Sequence, residues 1–192
     1  MTLALETFAR EPAEATIDLQ QSVIETPLGP MRLIASATHL RVCDFVDRKM
    51  LDAAVVRACG VRAIQDRQVS GHAVLDAARA ELADYFAGRL RAFTVPVELP
   101  EGDFSRRAWD ALRGIPFGAT RSYAQQAAAI GSPSAVRAVA NANGRNFLAI
   151  IVPCHRVIGS NGTLTGYGGG LDRKRWLLDH ERRIAGGGLL DA

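Results

Sequence analysis

The chain changes character once. Up to about residue 98 its apolar residues come in short runs rich in Val, Ile and Leu and broken by turn residues; from Phe104 onward they recur at helical spacing. Between the two lies "AFTVPVELPEGD", where Pro96, Pro100 and Gly102 read as a strand leading into a linker, the best place for a domain boundary. With 192 residues, 48% of them hydrophobic, the chain has enough apolar material for two small cores. The expected division is an extension over 1–20, an N-terminal α/β domain over 21–98, a helical domain over 99–185 and a tail over 186–192.

In the first half, "SVIETPLGPMRLIAS" and "LRVCDFV" read as strands joined by turns at Pro27, Gly29 and Pro30, with Cys43 packed in or beside the sheet. "SGHAVLDAARAELADYFAGRL" places Val74, Leu75, Ala78, Leu82, Tyr85 and Phe86 at helical spacing before a stop at Gly88. It should be an amphipathic helix on that sheet, with His72 in a capping or surface role. In the second half, "FSRRAWDALRGI" carries Phe104, Ala108, Leu112 and Ile115 on one helical face. "TRSYAQQAAAIG" and "SPSAVRAVANANG" follow as two short helices, the second expected to open with Ser132 as N-cap and Pro133 at its first position. Two such helices across a Gly-containing turn make a helix-turn-helix. Ala135, Ala138, Ala140 and Ala142 leave the second helix a sparse surface from which Arg137 projects, suited equally to close helix packing and to a rigid partner such as a DNA backbone.

Charge and cysteine content narrow the classes. Residues 1–99 hold 11 Lys/Arg against 13 Asp/Glu, and residues 100–192 hold 12 against 7, so the helical half has the sign a polyanion favours. No apolar run approaches the roughly 20 residues of a membrane helix. Glu6, Glu11 and Glu14 occupy the stretch where a secretory signal would be basic and then apolar. The expectation is a cytoplasmic protein without a membrane partner. Three cysteines without CxxC spacing argue for reduced thiols, and against both a disulfide framework and a metal site.

The chemistry centres on "IIVPCHRVIGSNGTLTGYGGGLDRKRWLLDHE", where Cys154 follows an aliphatic run and a proline. A free thiol is only a few per cent ionised at neutral pH, so a nucleophilic Cys154 needs an activating neighbour. His155 is adjacent, but on an extended strand it would point to the opposite face, so contact requires a turn or a bridging water. Glu181 is the candidate acid to orient the imidazole. On residue types alone, Cys154 as a small core residue and Cys154 as a nucleophile fit about equally well.

The run Pro-Cys-His-Arg-Val, the Gly-Tyr-x-Gly-Gly loop and the Leu-Leu-x-x-Glu end occur here in the order and spacing of the O6-alkylguanine-DNA alkyltransferases, and the chain resembles that family, in its stand-alone form, over about residues 22–183. The resemblance implies an α+β fold: a ribonuclease-H-like N-terminal domain with an antiparallel sheet, and a helical C-terminal domain with a winged or helix-turn-helix motif. It implies repair by direct reversal, with one alkyl group moved from O6-alkylguanine, and O4-alkylthymine as a further substrate, to Cys154 in a single-use reaction without cofactor. His155 would act as base through a water, Glu181 would orient it and Asn146 would brace the turn. Tyr123 would crowd the phosphate and help protonate the departing guanine, and Arg137 would fill the gap left by the rotated base. Ser122, Ala135 and Ala138 would line the DNA contact, while Tyr167, Val157, Gly168 and Gly169 would form the alkylguanine pocket. The implied partner is double-stranded DNA, entered through the minor groove with little sequence preference by a monomer, cooperative binding remaining open.

The chain departs from the usual family pattern in having Phe147, Leu148 and Ala149 where prolines are common, and Gly168 where Ser or Ala is common. Three other classes compete with the reading: a lesion-binding protein that transfers nothing, against which the presence of Cys154 speaks; a cysteine hydrolase built on Cys154, His155 and Glu181; and a sequence-specific transcription regulator, for which Ser134, Ala135 and Ala138 are poor base-reading side chains.

Overall fold

A computed structural model describes residues 19–49, 51–59, 71–99 and 102–186. The extension over 1–20 lies almost wholly outside the described residues, as does the tail over 186–192. Strands β1 (Gln20–Ile24), β2 (Met31–Ala35) and β3 (Leu40–Phe45) form an antiparallel meander in the order β1-β2-β3. Ser22 lies opposite Leu33, and Leu33 opposite Cys43. The sheet is covered on both faces, which is why β2 and β3 are apolar at consecutive positions rather than alternating. Met31, Leu33 and Phe45 share the main core with Val74, Leu75, Ala78, Leu82 and Tyr85 of helix α2 (Ala73–Phe86), while Ile34 and Val42 meet Leu51, Val55 and Cys59 of helix α1 (Leu51–Cys59). His72 caps α2, its Nδ1 accepting from Leu75 N–H. Helix α1 was not anticipated; the spacing of Leu51, Val55 and Cys59, each four residues from the next, is the signal for it.

The expected strand in "AFTVPVELP" shrinks to one parallel bridge between Val97 and Leu40. Pro96 has no N–H to continue a ladder, so the segment contributes only its carbonyl to Leu40 and the Glu98 N–H to the Leu40 carbonyl. Further along the same edge of β3, Cys43 and Leu148 form a second parallel bridge, with Cys43 N–H donating to Phe147 O at 2.8 Å and Ala149 N–H to Cys43 O at 2.7 Å. The segment with Phe147, Leu148 and Ala149 is therefore held by the N-terminal sheet instead of by prolines.

The second half begins with α3 (Asp103–Arg113), which buries Ala108, Trp109 and Leu112. A two-residue strand β4 (Arg121–Ser122) leads into α4 (Tyr123–Ala129), and α5 (Val136–Gly144) completes the helix-turn-helix. Ser122 and Gln125 form a capping box at the start of α4. Helix α5 opens three residues later than expected: Ser132 and Pro133 remain in the turn, the Ser132 carbonyl accepts from Ala135 N–H, and Ala135 is the N-cap. Strand β5 (Val157–Ile158) pairs in parallel with β4, and α6 (Leu171–Ala185) closes the domain.

A buried polar clamp sets α4 against α5. Gln126 and Asn143 exchange amide bonds of 3.1 and 2.7 Å, and Gln126 Nε2 also donates to Ala108 O of α3. Asn143→Leu leaves the buried Gln126 carbonyl without its donor and should cost about 1–3 kcal/mol in denaturant unfolding. A loss within error would show that the clamp contributes nothing.

Candidate active site

The aliphatic run before Cys154 is not a straight strand. Ile150 takes a positive φ of 71°, rare for a β-branched residue, and the chain turns so that Cys154–Arg156 form one turn of 3₁₀-helix. That turn removes the strand alternation that would have set Cys154 and His155 on opposite faces. Asn146 holds it from inside: its Nδ2 donates to Val152 O at 2.7 Å and to Cys154 Sγ at 3.1 Å, and its Oδ1 accepts from Leu148 N–H at 2.9 Å.

Behind the cysteine, Glu181 of α6 is fully buried and saturated with donors. His155 Nε2, Arg156 Nη2 and the Tyr85 hydroxyl donate to its Oε1 at 2.8, 2.9 and 2.9 Å; Arg156 Nε and Gly118 N–H donate to Oε2 at 2.9 and 3.1 Å. Gly118 is required: it has a φ of +78°, and a Cβ there would lie 2.7 Å from Ala185 Cβ and 3.3 Å from Glu181 O. Burial pushes the Glu181 carboxyl up, but the bonds and charges of His155 and Arg156 outweigh it and hold the group well below the usual carboxylate range. An ionised carboxylate only accepts, so His155 Nε2 carries the proton and Nδ1 is the basic nitrogen. That Nδ1 is buried and has no hydrogen-bond partner. Burial lowers the imidazole pKa, against the pull of Glu181, so the resting ring is neutral.

Burial raises the Cys154 thiol above its ordinary value, opposed by the Asn146 bond and the charges of Lys174 and Arg48. The resting site therefore pairs a protonated thiol with a neutral base. Lys174 has no exposed surface; its Nζ donates to Val157 O and Thr165 O at 2.6 Å each, and burial pulls its pKa down to about 8.

The thiol opens onto a mostly apolar cavity of about 500 Å³. Tyr123, Arg137, Tyr167 and Gly168 line it, joined by Val136, Ala140, Asn143 and Gly144 of α5 and by Thr165 and Gly166. Tyr123 points its hydroxyl at Thr165 O and Gly166 O, 3.3 and 3.4 Å away. Ser122 serves as the cap of α4, and Ala135, the N-cap of α5, and Ala138 on it are not part of the cavity lining. Val157 is buried with its N–H given to Cys154 O and its carbonyl to Lys174, and Gly169 packs against Phe45; neither lines the cavity. Sequence reasoning missed Tyr85, Lys174 and Arg48. Lys174 shares a helical face with Leu177, Leu178 and Glu181, and that spacing was the available signal.

A buried thiol facing a cavity beside a helix-turn-helix, backed by a buried imidazole–carboxylate pair, defines the class of site. Residues 19–99 match the ribonuclease-like domain of 6-O-methylguanine DNA methyltransferase, and residues 103–183 match its DNA binding domain. A methylated-DNA–protein-cysteine methyltransferase of Methanosarcina acetivorans is 42% identical over 162 residues, covering 83% of this chain and 96% of that one. One from Mycolicibacterium paratuberculosis is 58% identical over 103 residues, 54% of this chain and 62% of that one, so the match spans under two thirds of that relative. The crystal structure of Mycobacterium tuberculosis O6-methylguanine methyltransferase superposes with a TM-score of 0.71 at 39% identity, covering 86% of this chain and 94% of that one. That of Mycobacterium tuberculosis OGT in complex with DNA gives 0.73 at 40% identity, with the same coverage. The chain belongs to the 6-O-methylguanine DNA methyltransferase family.

Glu181→Gln strands the Arg156 guanidinium and should cost about 3–5 kcal/mol at pH 7 in denaturant unfolding. The Glu181 pKa is depressed on folding, so its stabilisation is present above the ordinary value of 4.5 and lost as the pH falls from there toward the folded value. The variant should accordingly lose stability less steeply than the parent below pH 4.5. Parallel acid limbs would remove Glu181 as a source of that dependence.

Proposed function

We propose that the protein repairs alkylated DNA by moving one alkyl group from O6-alkylguanine to Cys154, irreversibly and once per molecule. The observation that carries this reading is the bare, buried Nδ1 of His155 next to a cysteine whose Sγ already accepts from Asn146. In the reaction, His155 Nδ1 takes the thiol proton through a bridging water, and Glu181 stabilises the imidazolium that results. The thiolate attacks the alkyl carbon; an S–C bond forms as the C–O bond breaks, and the electron pair leaves with guanine. Tyr123 supplies a proton to the departing base, and Lys174, beneath the Tyr123 ring at 5.8 Å, eases that transfer by its charge. The product is a thioether, which a base positioned for proton removal does not hydrolyse, so the reaction stops there.

O6 lies inside the stacked duplex, so the nucleotide must be extruded into the cavity, at a cost of a few kcal/mol. The cavity volume and its flanking Tyr123 and Tyr167 suit a flat bicyclic base with its alkyl group directed at Cys154. Arg137, exposed on α5 at the rim, fills the vacated stack, and the small residues Ala135 and Ala138 admit the helix to the minor groove with little base reading.

Intact mass after incubation with duplex carrying one O6-methylguanine should rise by one methyl group, map to Cys154 and saturate at one per molecule. Cys154→Ser should bind the same duplex and stay unmodified. An unmodified parent that still binds the lesion would replace the proposal with lesion flagging. Arg137→Ala should slow repair in duplex far more than reaction with a free alkylguanine base; equal losses would remove the stack-filling role.

A further inference from the structure

The N-terminal domain braces the acceptor site with the side chain of Arg48. Arg48, in the turn after β3, is only 7% exposed and extends away from its own domain. Its Nη1 donates to the Asp44 carboxylate and to Asn146 O, and its Nη2 donates to Gly144 O at 2.6 Å. It thus caps the last carbonyl of α5, where a cation is favoured, and the Asn146 carbonyl just beyond it. It also grips the main chain of the residue whose side-chain amide touches Cys154 Sγ.

On its other side the guanidinium occupies the space beside Gly168. A Cβ at that position would lie 2.7 Å from Arg48 Cζ and 2.8 Å from its Nη2. The backbone of Gly168 does not call for glycine, since its φ lies outside the left-handed region. A flexible arginine could step aside from an added methyl group at little cost, but this one is anchored to three acceptors. Gly169 repeats the pattern, with the Phe45 ring 2.8 Å from where its Cβ would be. Two adjacent glycines of the cavity loop are therefore vacant on the side where β3 and its turn fill the space.

We propose that Arg48 is a positioning residue for the acceptor thiol: planted from the N-terminal sheet, its guanidinium wedges the end of α5 and the Asn146 turn against the Tyr167–Gly168 wall, and position 168 is glycine to admit it. The inference rests on Cys154 being the acceptor. Among the described residues, the charged groups facing the thiol are Arg48 and Asp44 from the N-terminal domain and Lys174 from α6, with the phenols of Tyr123 and Tyr167 beside them. Asp44, fully buried, has its carboxyl pushed up to about 6 by burial, against the pull of Arg48. Losing Arg48 removes a cation and loosens the Asn146 bond to sulfur, and both changes disfavour the thiolate.

The test uses the full chain and its variants Arg48→Met, Arg48→Lys, Gly168→Ala, Arg48→Ala and the double variant Arg48→Ala/Gly168→Ala. Two probes are applied: free O6-benzylguanine for alkyl transfer, and iodoacetamide with peptide mapping of Cys154 for the thiol itself, each across pH. Arg48→Met should move the Cys154 iodoacetamide profile up by about one pH unit, roughly a tenfold loss of rate below its midpoint. Arg48→Lys should restore part of it, because charge without the planar fork cannot hold both carbonyls. Gly168→Ala should slow transfer in the parent but have little effect in the Arg48→Ala background, the non-additivity expected of groups sharing one space. An unmoved iodoacetamide profile in Arg48→Met, or equal effects of Gly168→Ala in both backgrounds, overturns the proposal. If the parent reacts with iodoacetamide in the expected pH pattern but takes no benzyl group, the alkyl-transfer reading falls while the positioning role of Arg48 stands.

Discussion

A single buried carboxylate organises the C-terminal half of this protein. Glu181 gathers donors from α2, from the loop before β4 and from the 3₁₀ turn that carries Cys154, and none of these elements is near another in sequence. A charge taken out of water costs several kcal/mol unless it is paired and hydrogen-bonded. The Arg156 guanidinium and three further donors meet that requirement only when all the elements are in place, so the same bonds that keep Glu181 ionised also fix the imidazole. Orientation of the base and cohesion of the two domains are one interaction.

The cysteine turn depends on a second set of ties of a different kind. Phe147, Leu148 and Ala149 bridge to the free edge of β3, Phe147 packs edge-on against Trp109 at 4.8 Å, and Arg48 reaches across from the same sheet. A loop that must hold Ile150 at positive φ needs such over-determination. The N-terminal domain thus supplies an edge for the loop to pair with and a side chain to brace it, as well as one carboxylate donor from Tyr85.

Most of the elements were legible because they rest on local rules. Strands β1 to β3, α2, α3 and the paired helices α4 and α5 announce themselves through apolar spacing, and Cys154, His155 and Glu181 through motif and resemblance. Errors fell where tertiary context competes with local signals. Ser132 and Pro133 form a good cap by type, yet the turn keeps them and α5 starts at Val136. "AFTVPVELP" has strand composition, yet Pro96 limits it to one bridge. Val157 and Gly169 were assigned to the cavity by position in the motif and instead lie behind its wall, one saturated by Lys174 and Cys154, the other filled by Phe45.

By itself the sequence pointed to the two-part organisation and singled out Cys154, His155 and Glu181 as candidates, because periodicity and short motifs act over a few residues; the roles of the three came only with the family resemblance. Only the tertiary structure decided that Cys154 and His155 share a 3₁₀ turn, that the imidazole leaves Nδ1 bare, and that the charges of Lys174 from α6 and Arg48 from the other domain act on the thiol. Those features come from residues up to about a hundred positions apart. Their placement follows from which buried polar groups can be satisfied together, a condition on the whole packed chain that no local pattern encodes.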